Sequence, residues 1–256
     1  MKFILIILNL VLILFLGNAI PAYSGEITDR FANYPLWNFP SNINQRSQDL
    51  FYPDWMVGRW KVTSILVDQL APFSPDIVTP GFESNKRYLN QPIDFNVRFK
   101  PQSFPIPQLL SMDFLKVTSQ PIVADREFNA LNIAQAYLGK EGILGIKINP
   151  QNPNYQITFL PENNQLISRV TGRTQESPNA DEFLTSEITQ QIFQSNNQFY
   201  LNQVETTTDY HLQTADSIVA EQVTAIYLSP QDPNYFRTIN HPVALYRYQL
   251  TLSRYK

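Results

Sequence analysis

Few side chains in this sequence could act together in acid–base or metal chemistry. There are two histidines, His211 and His241, and no cysteine among 256 residues. A zinc site needs three or four nitrogen, sulfur or oxygen ligands, so two well-separated histidines do not indicate one. A haem needs only one axial histidine, and His241 before Pro242 could supply it, but a turn residue is the favoured interpretation. We therefore expect no metal and no cofactor.

No catalytic motif is recognisable, because no serine stands in a Gly-x-Ser-x-Gly turn and there is no glycine-rich phosphate loop. Glu205 is the carboxylate of most interest, since it falls within a predicted strand on the same side as Phe199 and Leu201. If that side is interior, burial raises the pKa of Glu205 and makes it a candidate site residue. If it faces outward beside Gln203, Glu205 is a solvated strand residue. Catalytic residues are not assigned, and an enzyme is the less favoured class.

The elements that position these residues begin after an apolar N-terminal stretch. A basic start at Lys2 is followed by about 14 mostly apolar residues and then by small residues up to Ser24. A membrane span needs about 20 apolar residues. The order therefore predicts a signal peptide over 1–24, export of the protein, and no membrane span after cleavage. An exported chain without cysteine must be held together by packing alone.

The composition indicates an all-β protein and argues against nucleic-acid binding. Nineteen basic and 22 acidic residues give a net charge of −3, without the basic excess that nucleic acids attract. The 17 phenylalanines and 13 tyrosines favour strands, and 19 prolines mark the turns between them.

Alternating apolar and polar residues predict an irregular lead at 25–54 that packs on a single domain at 55–256. Segment 125–139 is ambiguous between helix and strand, with strand slightly favoured because Gly142 and Gly145 follow closely. About 9–11 strands joined by tight turns predict an antiparallel meander that curls and closes into a barrel. The other predicted strands are 55–69, 87–99, 111–119, 144–148, 155–160, 165–173, 183–194, 198–213, 217–229 and 244–255.

Closure of the barrel makes a specific prediction about its first and last strands. If they pair antiparallel, Arg254 at the end of the last strand comes beside Trp60 at the start of the first, on the inward side. A guanidinium over an indole gives a cation–π contact worth about 0.5–2 kcal/mol. The proline-rich segment 71–82 would then lie at the opposite mouth.

The residues Gly58 and Trp60, with Arg254 at matching parity, resemble the closed end of lipocalin-like (calycin) barrels. That resemblance implies a barrel plugged at the Trp60 end. The stretches 58–64 and 79–88, with the exported N-terminus, also resemble an uncharacterised family of cyanobacteria and chloroplasts. This second resemblance implies residence in the periplasm or the thylakoid lumen.

The favoured function is a binding barrel for a small apolar or amphipathic molecule, such as a lipid, a pigment or a quinone-like compound. It could be auxiliary to photosynthetic membranes. The first alternative is a non-catalytic interaction or assembly factor, whose protein partner the sequence does not identify, and the second is an enzyme acting in the barrel mouth. Candidate ligand-binding residues in the barrel interior are Phe95, Phe99, Glu205, Tyr246 and Tyr248.

Overall fold

The computed structural model describes residues 25–39, 49–102, 120–195 and 198–255. The predicted signal peptide at 1–24 lies outside these ranges, and so does the predicted strand at 111–119. Within the described part of the chain, no helix is long and apolar enough to cross a membrane.

The protein is all-β, as predicted, and its ten strands form one antiparallel sheet. The strand order is β3-β2-β1-β10-β9-β8-β7-β6-β5-β4, so the last strand lies beside the first. The strands are β1 (Gly58–Leu70), β2 (Pro92–Pro101), β3 (Ile122–Ala124), β4 (Gly145–Asn149), β5 (Asn152–Phe159), β6 (Gln165–Glu176), β7 (Glu182–Ser195), β8 (Gln198–Thr214), β9 (Ser217–Leu228) and β10 (Ala244–Arg254).

The sheet curls into a half-barrel whose two edge strands are β3 and β4. Among the described residues, three α-helices accompany the sheet: α1 (Glu26–Ala32), α2 (Phe82–Asn85) and α3 (Arg126–Leu138). The longest of these, α3, packs against both β2 and β4 and so spans the gap between the two ends of the sheet. The same ranges contain four 3-10 turns, at Asp54–Met56, Lys86–Tyr88, Lys140–Gly142 and Tyr235–Arg237.

The helix α3 corrects the slight preference for a strand at 125–139. Its 13 residues contain neither glycine nor proline, and they include alanine, leucine, glutamate and glutamine, which favour helices. Gly139 has a φ of 77° and ends the helix. Gly142 and Gly145, which suggested a strand, instead lie at the end of the next turn and at the start of β4. Asn129, Ile133 and Tyr137 recur every fourth residue and therefore share one face of α3.

One end of the half-barrel is shut by Trp60 and Arg254. Trp60 is fully buried, with 0 % exposure to solvent, and it pairs with Arg254 across β1 and β10. The guanidinium carbon lies 4.4 Å from the centroid of the indole ring, which is the contact that the sequence predicts. Arg254 also donates to the backbone carbonyls of Trp55, Val57 and Ala215 at 2.7–3.2 Å.

Gly58 is required beside this contact for two reasons. Its φ of 116° is a conformation that side chains other than glycine rarely adopt. In addition, a Cβ atom at this position would lie 3.0 Å from a guanidinium nitrogen of Arg254.

The opposite end is covered by the proline-rich segment 71–82. Phe82 packs against Leu66 and Tyr246, and Ile77 packs against Leu228 and Val243. These partners lie toward the ends of β1, β9 and β10 that are remote from Trp60.

The N-terminal segment 25–39 covers part of the outer face of the sheet. Trp37 is 3 % exposed and packs in a cluster with Val223, Ala225 and Tyr227. These three residues have the opposite parity to Ile218 and Ala220, which face inward in the cluster around Trp60. The segment is therefore part of the folded structure, and its burial keeps large aromatic rings out of water.

Replacing Arg254 with alanine should lower the free energy of unfolding by about 2–4 kcal/mol. The variant loses a cation–π contact and leaves three backbone carbonyls without their charged donor. Chemical denaturation monitored by tryptophan fluorescence measures the loss. Arg59→Ala is the matched control, because Arg59 also lies over aromatic rings but is solvent-exposed, and it should cost less than about 1 kcal/mol. Equal losses in the two variants would contradict the role of Arg254.

Candidate ligand cavity

A cavity of about 320 Å³ lies inside the half-barrel, between α3 and the inward face of the sheet. Much of its wall is apolar and comes from three neighbouring strands, β2, β1 and β10. The apolar lining residues are Val62, Phe95, Val97, Phe99, Ala124, Ile133, Leu250 and Leu252. Ile133 keeps 37 % exposure, which indicates that the cavity opens beside α3.

The polar part of the cavity wall consists of hydroxyl and amide groups. Gln222 accepts a hydrogen bond from the Thr208 hydroxyl at 3.2 Å, which orients its amide. The polar lining residues are Tyr52, Ser64, Asn129, Tyr137, Tyr210, Gln222 and Tyr248.

Burial keeps the tyrosines of the cavity protonated. It raises the pKa of Tyr210 to about 12 and raises the pKa of Tyr52 well above its ordinary value. Burial also raises the pKa values of Tyr137 and Tyr248. At neutral pH each of these side chains is therefore an uncharged O–H donor.

Asp125, which precedes α3, and Arg126, its first residue, anchor the helix to opposite sides of the half-barrel. Asp125 forms ion pairs with Arg98 and Lys100 of β2. Arg126 reaches the other way, to Glu187 of β7 at 3.1 Å and to Asp49 at 2.6 Å. None of the thirteen residues of α3 is fully buried. These ion pairs therefore hold the helix in place of a packed apolar face.

Two further contacts hold α3 along its length. The Asn129 side chain accepts from the backbone N–H of Arg98 at 2.7 Å and donates to its carbonyl at 3.2 Å. Near the C-terminus, the Tyr88 hydroxyl donates to the Tyr137 carbonyl at 3.1 Å. The helix is thus held at a distance from the sheet, and the cavity is the space left beneath it.

A cluster of buried charges lies beyond the tyrosines of the cavity. Arg173 is 1 % exposed and donates to Glu187 at 2.7 Å and to Asn154 at 2.6 Å. Asp49 lies 3.8 Å from Arg173 and completes a set of two guanidinium groups and two carboxylates with Arg126. Burial raises the pKa of Glu187, but Arg126 and Arg173 outweigh it and hold the pKa below its ordinary value. Each carboxylate is paired, which is typical of a structural ion cluster rather than of a catalytic base.

Glu205 lies on the outer face of the sheet, so the interior position considered for it is wrong. Its cross-strand neighbours are Ile188 and Ala225, and Ala225 belongs to the outer-face cluster with Trp37. Glu205 is nevertheless 0 % exposed, because the segment 25–39 covers it. The alternation of residues along the strand could not distinguish an interior position of Glu205 from a covered outer position, since both faces exclude water.

Glu205 accepts hydrogen bonds from five side chains and ties the segment 25–39 to the sheet. From the segment, Arg30 donates through both terminal nitrogens, and the Trp37 indole N–H donates at 3.1 Å. From the sheet, the donors are Ser186 at 3.3 Å, Thr207 at 2.7 Å and Tyr227 at 2.8 Å. Burial and the Glu205 carboxylate raise the pKa of Tyr227. We call this group the Glu205 cluster.

The remaining predicted residues are distributed over the structure. Phe95, Phe99 and Tyr248 line the cavity. Tyr246 faces inward but packs against Phe82 and Leu66, beyond the cavity. His241 is exposed in the loop before β10.

His211 lies on the outer face and forms a small group with two carboxylates. Its Nε2 atom is 3.0 Å from Asp209, and ligand atoms of His211, Asp209 and Glu182 lie within 4.8 Å of one another. Burial, with the nearby Glu182 and Glu221 carboxylates, raises the pKa of Asp209 although His211 opposes the rise. The donor set could hold a divalent cation, but the histidine side chain is 43 % exposed and already paired with Asp209.

Six polar lining residues are absent from the predicted binding residues, and one of them, Ser64, shares the inward parity of Trp60 on β1. Asn129 and Tyr137 share one face of α3 with Ile133, because the three residues are spaced four apart. This spacing would have revealed them once the segment was assigned as a helix. Tyr210 and Gln222 have inward parity on β8 and β9, which sequence alternation could have shown. Tyr52 comes from the irregular lead, and no local pattern places it in the cavity.

The chain belongs to the family described as domain of unknown function DUF6816, whose model matches residues 45–256. This agrees with the expected resemblance to an uncharacterised family. No curated protein matches the chain.

Replacing Glu205 with alanine should lower the free energy of unfolding by about 3–5 kcal/mol, because Arg30, whose side chain is only 14 % exposed, loses its carboxylate partner. Chemical denaturation measures this loss, and limited proteolysis should show earlier cleavage within 25–39. Glu221→Ala is the control, since the side chains of Glu221 and its partner Arg247 are 40 % and 34 % exposed on the same face and pairs near the surface contribute about 0–1 kcal/mol. A loss as small as that of the control would exclude a role of the Glu205 cluster in holding the segment.

Acid should release the N-terminus of α3. Salt-bridge partners lower the pKa values of both Glu187 and Asp125 in the folded state. Both carboxylates therefore contribute stability above their unfolded pKa values of about 4, and this contribution is lost as the pH falls through the lower folded values. The protection factors of the α3 amides, which compare each exchange rate with that of an unfolded chain at the same pH, should fall below about pH 4, and Glu187→Gln should show the lower protection already at neutral pH. Protection in α3 that is unchanged down to global unfolding would contradict the charge anchors.

Proposed function

We propose that this DUF6816 protein binds a small apolar or amphipathic molecule in the cavity between α3 and the sheet. The observation that carries the proposal is a cavity of about 320 Å³ with apolar walls and a few polar groups. Ligand sites of proteins are commonly cavities of about 300–1,000 Å³ with this composition.

The way in which α3 is held supports the same function. A helix that only completed a core would bury an apolar face against the sheet, whereas α3 buries none of its residues fully. Its position depends on ion pairs and hydrogen bonds at its ends. These contacts keep a space beneath the helix that side chains do not fill.

The ligand classes that suit this cavity are lipids, pigments and quinone-like compounds. Each combines an apolar body with a few polar atoms, matching the phenylalanine and leucine walls and the hydroxyl and amide groups. The predicted signal peptide supports export to the periplasm or the thylakoid lumen, where such a protein would be auxiliary to photosynthetic membranes.

A second candidate is a non-catalytic interaction or assembly factor. Two large apolar side chains favour it, because Phe193 and Phe199 are 37 % and 66 % exposed and line one surface depression with Pro80 and Gly81. Exposed apolar residues that lie together are typical of contact surfaces. Affinity purification from the native compartment would support this candidate if it recovered a stoichiometric protein that Phe199→Ser fails to recover.

The neutral fluorophore N-phenyl-1-naphthylamine should bind in the cavity with a Kd on the order of micromolar. The binding should appear as enhanced emission with a stoichiometry of one. Leu250→Trp places a larger ring in the cavity and should weaken binding at least about tenfold.

Thr251→Trp is the matched control, because Thr251 is adjacent on β10 but exposed on the outer side. It should bind the fluorophore like the unchanged protein. If the fluorophore does not bind, or if both variants bind it equally well, the cavity is not the ligand site.

A further inference from the structure

The polar groups that face the cavity are all uncharged. They are the side chains of Ser64, Asn129 and Gln222 and the hydroxyls of four tyrosines. Among the described residues that line the cavity, none is a lysine, arginine, histidine, aspartate or glutamate.

The charges nearest to the cavity are already paired. Behind Tyr52 and Tyr210, Arg126 and Arg173 are paired with Asp49 and Glu187, so two positive groups meet two negative groups. At the N-terminus of α3, Arg98 and Lys100 share the carboxylate of Asp125. The side chains of Arg98 and Lys100 are 46 % and 52 % exposed and have the opposite parity to the cavity-lining residues of β2, so their surplus positive charge lies in water and not in the cavity. A charged ligand would therefore have to compete with an existing ion pair for its counter-charge.

We infer that the cavity selects ligands whose polar head is uncharged, and rejects carboxylates and ammonium groups attached to the same apolar body. The inference rests on the binding function proposed above. Its physical reason is that a charge moved from water into a site without a counter-charge loses its hydration and gains no ion pair in return.

The polar groups also indicate which uncharged heads fit. Each tyrosine is held in its protonated form by burial and donates one hydrogen bond. The Gln222 oxygen accepts from Thr208, which leaves its N–H₂ group as a donor toward the cavity, whereas both ends of the Asn129 amide bond the backbone of Arg98. Together they suit a carbonyl, ester, ether or hydroxyl oxygen, such as that of a quinone, a glyceride or a fatty alcohol.

The first experiment compares N-phenyl-1-naphthylamine with 8-anilino-1-naphthalenesulfonate, which carries the same aromatic body and a sulfonate. The neutral probe should bind at least about tenfold more tightly. The second experiment displaces the neutral probe with 1-dodecanol, dodecanoate or dodecylammonium at neutral pH. The alcohol should compete at least about tenfold better than either ion.

A charge placed in the cavity should reverse this preference. Gln222→Lys adds a cation to the wall and should improve competition by dodecanoate at least about tenfold relative to the alcohol. Gln249→Lys adds the same charge on the exposed outer side of β10 and should leave the preference unchanged. The comparison of ligands on the unchanged protein decides the inference even if Gln222→Lys does not fold.

The outcomes separate the two proposals. If dodecanoate competes as well as dodecanol, selection of an uncharged head is wrong while the binding function stands. If neither the neutral probe nor the alcohol binds, both proposals fail. Selective binding of the neutral members of both series supports both.

Discussion

The cavity depends on two adjacent residues that bind in opposite directions. Asp125 is tied to Arg98 and Lys100 on one side of the half-barrel, and Arg126 is tied to Glu187 and Asp49 on the other. The sheet curls but ends in two edge strands, so something must cover its inner face. A helix held by charges at one end covers that face without filling it, and a site for a small molecule results.

Two paired carboxylates, Glu187 at 22 % exposure and Glu205 at 0 %, show how the same chemistry stabilises the two faces of one sheet. Glu187 points inward and joins α3 to the sheet through two guanidinium groups. Glu205 points outward and joins the segment 25–39 to the sheet through five donors. Buried charges of this kind are tolerated because every one is paired. With no cysteine in the chain, these clusters and the apolar core replace covalent cross-links.

Local patterns predicted most of the sheet but not the site. Alternation located the long strands, and the parity of Trp60 and Arg254 gave the register of the first and last strands. Segment 125–139, which forms α3, stayed ambiguous between helix and strand because its apolar residues fit a period of two nearly as well as a helical period. The faces of Glu205 and Glu187 could not be decided locally, because segments more than 60 residues away provide their partners. A buried ion pair is a long-range property that residue types alone do not reveal.

The space beneath α3 is proposed to hold a small uncharged amphipathic molecule. Native mass spectrometry can detect this molecule directly, using protein purified without detergent from the cells that produce it. One bound molecule is expected for each chain, with a head that carries no charge at neutral pH. A spectrum that contains only the mass of the polypeptide would contradict the proposal.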